Sequence, residues 1–365
     1  MKPMTARQRL LATFRGEKTD CVPVAPIMDA FASAVLDKPN RDLTWQEQLK
    51  VAKQFDFDQF LSLATVLPDA IQSAWKRKRI GEEDGCPLIR ETLETPVGSL
   101  TQVLKELRYG LPWVMEYPLK SKDDLKTFRY IMDWITEIAA APSVIREAGK
   151  SIGEDGVTMA WVALPLELNG WMERSQTMLL AVEEPDLMDD LCRHLHQSQY
   201  KMAERAFDDG IDLIVFGVAG TELVSPDLFR RHVTPFAREL TDLARKRGRW
   251  SYLHMCGKIQ KLLDQIAEIN PTVFETFAPP PEGDTDNIGK TRDRIGRHIV
   301  AKGNMNLTFL ATATPEDVYR AGQEIITSAG SDRFILGVAD GLLANHPQEN
   351  VRALIRAGHD FRIND

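Results

Sequence analysis

The sequence is short of the features that commit a chain to a specialised class. It has only four cysteines, Cys21, Cys86, Cys192 and Cys256, spaced too widely for a disulfide framework or a CxxC motif. No apolar run approaches the ~18 residues a membrane span needs. The stretch from Ile211 to Ala219 is among the longest, and Asp212 interrupts it. The first fifteen residues carry four cations and no apolar h-region, so they do not read as a secretory signal. Cations are outnumbered: 45 Lys and Arg against 53 Asp and Glu give a formal charge of −8. That balance argues against nucleic acid, and against a polyanionic ligand unless a local basic cluster exists. There is no nucleophile elbow and no Walker loop, and Gly337-Val-Ala-Asp-Gly341 lacks the order of a dinucleotide fingerprint. Phosphate binding and hydride transfer are therefore disfavoured. A cytoplasmic enzyme with free thiols is the expectation.

What is present is ordinary globular material: of 365 residues, 43% are hydrophobic and 27% charged, with no internal repeat. The length would allow more than one domain, but a single large α/β barrel also fits it. Eight short apolar runs read as strands: Cys21–Met28, Asp58–Thr65, Val157–Leu164, Asp212–Ala219, Trp250–Cys256, Thr272–Ala278, His298–Gly303 and Phe334–Val338. Between most of them lie stretches with helical i, i+3, i+4 spacing, including 46–55, 186–209, 226–247, 258–269, 315–329 and 347–358. Ser225-Pro226 and Thr314-Pro315 place a capping hydroxyl before a Pro at the first helical position. This alternation predicts one (β/α)8 TIM-barrel domain over residues 1–365. An open doubly wound sheet satisfies the same pattern. One segment departs from it: alternating residues around Pro96-Val97-Gly98 predict an antiparallel hairpin inserted near residues 88–118, expected to roof the pocket.

A barrel of this kind works at the C-terminal ends of its strands, and polar residues collect there. Asp29 follows the first run, Glu167 and Asn169 the third, and Glu222 the fourth. His254 and Cys256 end the fifth, Glu275 lies in the sixth, Asn304 and Asn306 follow the seventh, and Asp340 follows the eighth. Singly, each is more often a cap or loop residue than a catalytic one; their shared side of the expected barrel raises the functional reading. The sharpest group is His254-Met255-Cys256-Gly257-Lys258. Residues i and i+2 of a strand share a face, so imidazole and thiolate converge, and both suit Zn²⁺. The plainer alternative is a core Cys beside a His bonded to backbone. His194 and His196 face apart on their helix and make no second pair.

Several motifs together resemble the uroporphyrinogen decarboxylase-like superfamily. They are residues 4–24 (MTARQRLLATFRGEKTDCVPV), Ser225-Pro-Asp-Leu-Phe229 with Pro235, Pro279-Pro-Pro-Glu-Gly-Asp284, Gly303-Asn-Met-Asn306 and Pro347-Gln-Glu-Asn-Val351. The resemblance covers nearly the whole chain and implies the barrel. Two branches are distinguishable. The decarboxylases hold a porphyrinogen with eight carboxylates through an Arg-rich N-terminal stretch. Here Pro23 to Asn40 contains no Arg, and its one cation is Lys38; desolvating several unpaired carboxylates would cost several kcal/mol each. The zinc-dependent, corrinoid-linked methyltransferases carry His-x-Cys-Gly at this strand, matched by His254, Cys256 and Gly257, and a Cys in the turn after the last strand. In this chain that turn reads Leu336-Gly-Val-Ala-Asp-Gly-Leu342 and offers Asp340 instead. A carboxylate ligates Zn²⁺ at ~2.0–2.2 Å and carries a thiolate's charge, although Asp340 also reads as a turn residue before Gly341. The resemblance thus implies a Zn²⁺ site of His254 and Cys256, with Asp340 where the family has its third ligand; Glu167, Glu222 and Glu275 are the candidates to position substrate or serve as general acid, and Asn304 to orient it as a hydrogen-bond donor. The resemblance implies methyl transfer between a small molecule (thiol, ether or amine) and a corrinoid (cobalamin) carried by a partner protein, with a homodimer admitted. A tetrapyrrole decarboxylase and a non-catalytic corrinoid or porphyrin carrier are the competing functions.

Overall fold

The computed structural model describes residues 2–64, 69–137 and 142–363. Its strands, in chain order, are β1 (Gln59–Ala64), β2 (Lys76–Glu83), β3 (Cys86–Thr95), β4 (Gly98–Lys105), β5 (Trp113–Glu116), β6 (Gly156–Trp161), β7 (Leu213–Ala219), β8 (Trp250–Cys256), β9 (Val273–Glu275), β10 (Val300–Met305) and β11 (Phe334–Val338). Seven of them form one parallel sheet in the order β1-β6-β7-β8-β9-β10-β11. These seven coincide with seven of the expected runs, though the end of the second, Thr65, lies outside the described residues. Strands buried on both faces read as unbroken apolar runs, and β6, β7, β10 and β11 are buried almost throughout. Helices connect them. Ser225 accepts from Leu228 N at 3.2 Å and Thr314 from Asp317 N at 3.2 Å, as capping residues at those starts do.

The expected first strand differs. Residues 21–28 form isolated bridges rather than a strand, Val24 with Leu336 and Ile27 with Gly341. This segment touches both edges of the sheet: Ala25 N donates to Leu336 O at 3.1 Å, and Asp58 N to Val24 O at 2.9 Å. Pro23 and Pro26, having no N–H, interrupt the ladder an apolar run would otherwise make. The sheet is therefore a curled parallel array whose two edges share one connecting segment. The 226–247 helix is also divided, into 226–232 and 234–246, with Val233 at φ −119° and ψ −57° between them.

One apolar cluster fills the inner face of the sheet near the strand starts, where Leu10 and Phe14 of the helix 6–15 pack on Phe60, Met159, Leu213 and Tyr252. The rings of Phe14 and Phe60 lie 6.0 Å apart and those of Phe14 and Trp250 5.5 Å apart. That end is sealed, so polar chemistry is left to the other end.

In place of a lone hairpin over 88–118, the segment between β1 and β6 holds a four-stranded antiparallel sheet, β2-β3-β4-β5. Its extra strand β2 is exposed at every residue. Leu93 and Leu100 form a separate core with Phe128 and Ile131 of the helix 124–137, Leu168, Trp171, and Leu191 and Leu195 of the helix 185–208. Trp113, the first residue of β5, is exposed.

Candidate metal centre

The site forms at the C-terminal ends of β8, β9 and β11. Gly217 pairs with His254, and His254 with Glu275, so register alone sets the imidazole beside the carboxylate. His254 Nε2 lies 3.0 Å from Cys256 Sγ, Cys256 Sγ 3.3 Å from Asp340 Oδ2, and His254 Nε2 3.7 Å from Asp340 Oδ1. Among the described residues this is the one group of His, Cys, Asp and Glu arranged to hold a metal, its ligand atoms all within 4.8 Å of one another.

The donor set fits Zn²⁺. Tetrahedral bonds of the usual lengths put ligand atoms about 3.3–3.6 Å apart, within the 4.8 Å that spans these three residues' ligand atoms. One neutral imidazole with one thiolate and one carboxylate balances two positive charges and leaves a fourth position for substrate.

Behind His254 stands a second layer. Glu275, fully buried, approaches His254 Nδ1 at 2.5 Å through one oxygen and pairs with the buried Lys302 ammonium through the other. An ionised carboxylate only accepts, so Nδ1 carries the proton and Nε2 is free for the metal. This is the outer partner that ligating histidines usually have. Burial by itself would raise the Glu275 carboxyl, but the Lys302 charge and the His254 hydrogen bond overcome it and hold the group down to about 2. Burial likewise opposes charge on His254, yet Cys256 and Glu275 raise its pKa well above the usual value. Burial raises the Cys256 thiol, partly offset by His254. Lys302 also donates to Tyr252 OH at 2.9 Å, and Trp161 meets the His254 ring edge-on at 5.9 Å.

The remaining expected site residues fall in different places. Glu222 accepts from Lys258 N at 2.9 Å. Gly257 needs its lack of a side chain twice over: its φ is +82°, and a Cβ there would collide with the Glu222 carboxylate. Glu222 thus holds the turn that follows Cys256. Asn304, buried, donates to Phe277 O at 2.8 Å, and Asn306 caps the helix 307–312 through Phe309 N at 2.7 Å. Glu167 and Asn169 lie in the 3₁₀ turn Pro165–Gly170, and their side chains are outside the described ones. The structure therefore brings His254, Cys256, Asp340 and Glu275 together; Glu222 and Asn304 brace loops around them.

Sequence reasoning missed Lys302, Tyr252 and Trp161. The available signal was Lys302 itself, a cation at the end of the apolar stretch Ile299-Val-Ala301, where a side chain facing inward needs a buried acid.

The curled parallel sheet thus gathers polar side chains at the C-terminal ends of its strands, where α/β barrels carry their sites. The sequence profile of uroporphyrinogen decarboxylase (URO-D) matches residues 106–361, and the chain belongs to that family. It is 21% identical over 364 residues to a methylcobamide:CoM methyltransferase, MtaA, of Methanosarcina barkeri, covering 99% of each chain. It is 30% identical over 159 residues, 43% of this chain and 40% of the relative, to a methylated-thiol–coenzyme M methyltransferase of Methanosarcina mazei. A uroporphyrinogen decarboxylase of Synechococcus sp. (strain CC9902) is 20% identical over 250 residues, 66% of this chain and 68% of that one. Among solved structures, a methyltransferase from Methanosarcina mazei superposes with a TM-score of 0.68 at 18% identity, covering 97% of this chain and 98% of that one. Relatives in the family are methyltransferases and decarboxylases, both enzymes.

Proposed function

We propose that the chain is a zinc-dependent methyltransferase that moves a methyl group between a small molecule and a corrinoid carried by a partner protein. The observation that carries the reading is the His254–Cys256–Asp340 cluster, with Glu275 fixing the imidazole tautomer from behind. In this reading residues 22–28 complete the curled sheet as its eighth stave, and the barrel opens at the metal centre.

His254, Cys256 and Asp340 would hold the ion, which when bound supplies Lewis acidity that favours a thiolate near neutral pH. Glu275, itself paired with Lys302, holds the His254 ring in place through Nδ1 and leaves Nε2 facing the other two ligands. Glu222 and Asn304 hold the surrounding turns, and Glu167 is the candidate to contact substrate. With a thiol as acceptor, a sulfur–carbon bond forms and the cobalt–carbon bond of the methylcorrinoid breaks. The electron pair stays on cobalt, which passes from Co(III) to Co(I), and the thiol proton is released.

The decarboxylase reading lacks the cations it needs, since Lys302 is committed to Glu275 and residues 23–40 contain no Arg. The two separate in one pair of assays. Zinc-loaded protein with methylcobalamin and a thiol should give methyl thioether, and His254→Ala or Cys256→Ala should abolish it. Conversion of uroporphyrinogen to coproporphyrinogen, without methyl transfer, would overturn the reading. A carrier would bind a chromophore and turn nothing over.

A further inference from the structure

Strand β2 (Lys76–Glu83) stands at the end of its sheet, in the order β2-β3-β4-β5, so only one of its edges is paired. All eight of its residues are exposed. Open edges are commonly guarded by lysines or a proline that keep other strands away. This strand has no Pro, and its charges are sorted by sign. Lys76-Arg77-Lys78-Arg79 fill the first half, Ile80 and Gly81 follow, and Glu82-Glu83-Asp84 close the strand and enter its turn. Ile80, between the two halves, is 40% exposed.

The cations are only partly neutralised from within. Lys78 stands opposite Arg90 in the β2–β3 register, a like-charged pair that costs stability. Among the described residues neither of the two has an acidic partner. Beside the strand lies a groove of about 300 Å³, lined by Arg41, Arg77, Lys78 and Arg79 against a single acid, Glu106. That is room for roughly ten waters, and Glu106 is already shared between Arg41 and Arg77. The acids at the far end are loosely held. Glu82 pairs with Arg79 and Asp84 with Lys105, but their side chains stay 53% and 82% exposed, where such pairs are worth little and exchange readily.

We infer that β2 is the edge at which a second copy of this chain docks, antiparallel, about a two-fold axis at Ile80. A copy centred there sets Lys78 opposite Glu82, Arg77 opposite Glu83 and Lys76 opposite Asp84, each twice by symmetry, and Ile80 meets its own counterpart. A parallel copy would set cation against cation and is repelled. The extra residue by which β2 slips against β3 lies between Arg79 and Gly81, so it falls on the axis and leaves the two arms regular. Glu83 of the second copy arrives beside Arg77 and brings a carboxylate to the basic groove. Two four-stranded sheets become one of eight, and each loses its open edge. A contact confined to one edge fits a weak, salt-sensitive dimer and not an obligate one. No residue of the metal centre takes part, so the inference stands apart from the methyltransferase reading.

Sedimentation velocity on the full chain, from about 1 to 100 μM, tests it. Dimer should accumulate at the upper end in low salt and disperse in about 1 M salt. Lys78→Glu and Glu82→Lys should each weaken dimerisation at least about tenfold. Both positions are exposed, so both variants should fold and melt as the wild-type monomer does. An equimolar mixture of the two should recover the dimer, because the reversed charge of each variant then meets its opposite. A wild-type chain that stays monomeric throughout would overturn the inference. So would a dimer that both single variants keep, or a mixture that associates no better than either variant alone.

Discussion

In the proposed metal centre, position 340 would decide how soft the site is. Asp340 supplies a carboxylate 3.3 Å from Cys256 Sγ, where a thiolate would make a softer site. Asp340→Cys should retain zinc and bind it more tightly in a chelator competition, while Asp340→Ala should lose most of the bound ion with little change in melting temperature, since the residue lies in a turn. An alanine variant with undiminished zinc affinity would remove Asp340 from the ligand set. Glu275 offers a second test. Glu275→Gln should weaken zinc about 10- to 100-fold, the usual cost of losing an outer partner of a ligating His. Glu275→Leu should do more, because it leaves the Lys302 ammonium buried and unpaired at a cost of about 3–5 kcal/mol. Denaturant melts of the metal-free proteins should show that gap; equal stability of the two variants would mean that Lys302 finds another partner.

At the scale of elements, the antiparallel sheet β2–β5 is built on its own core. Leu100→Ala should cost about 2–5 kcal/mol through the cavity it leaves among Leu93, Phe128 and Trp171. Zinc content should be unchanged, and a parallel loss of metal would show that this core and the centre are coupled. The same elements show what is legible in a sequence. Seven parallel strands stand out because burial on both faces makes each an apolar run. The exposed strand Lys76–Glu83 has no apolar alternation at all, so its pairing with β3 is set by backbone hydrogen bonds and cross-strand charges such as Arg77 with Glu91. The segment 21–28 misleads in the opposite direction, apolar like a strand but broken by Pro23 and Pro26. In the site, the His254–Cys256 pair is local and therefore readable. Asp340 needed the resemblance, and Lys302 lies 27 residues from Glu275, a pairing that only the sheet register brings about.

At the scale of the molecule, chain-distant segments meet at the sealed end of the sheet. Arg9 pairs with Asp20 and Asp58, and His359, from the last helix, approaches Asp58 Oδ2 at 3.1 Å. Burial opposes charge on His359, but Asp58 prevails and raises its pKa above the ordinary histidine value. A raised folded-state pKa means the contribution is fully present below the unfolded value of about 6.5 and fades as pH rises through the folded value. Stability should therefore fall as pH rises above about 6.5, and His359→Gln should flatten that slope in thermal melts. An unaltered slope would place the pH dependence elsewhere.

Zinc K-edge X-ray absorption on the purified wild-type protein would read the proposed ligand set itself. One His, one Cys and one Asp predict a single sulfur at about 2.3 Å with nitrogen and oxygen ligands at about 2.0–2.2 Å, at one zinc per chain. A site with two or more sulfurs, or protein that takes up no zinc, would contradict it.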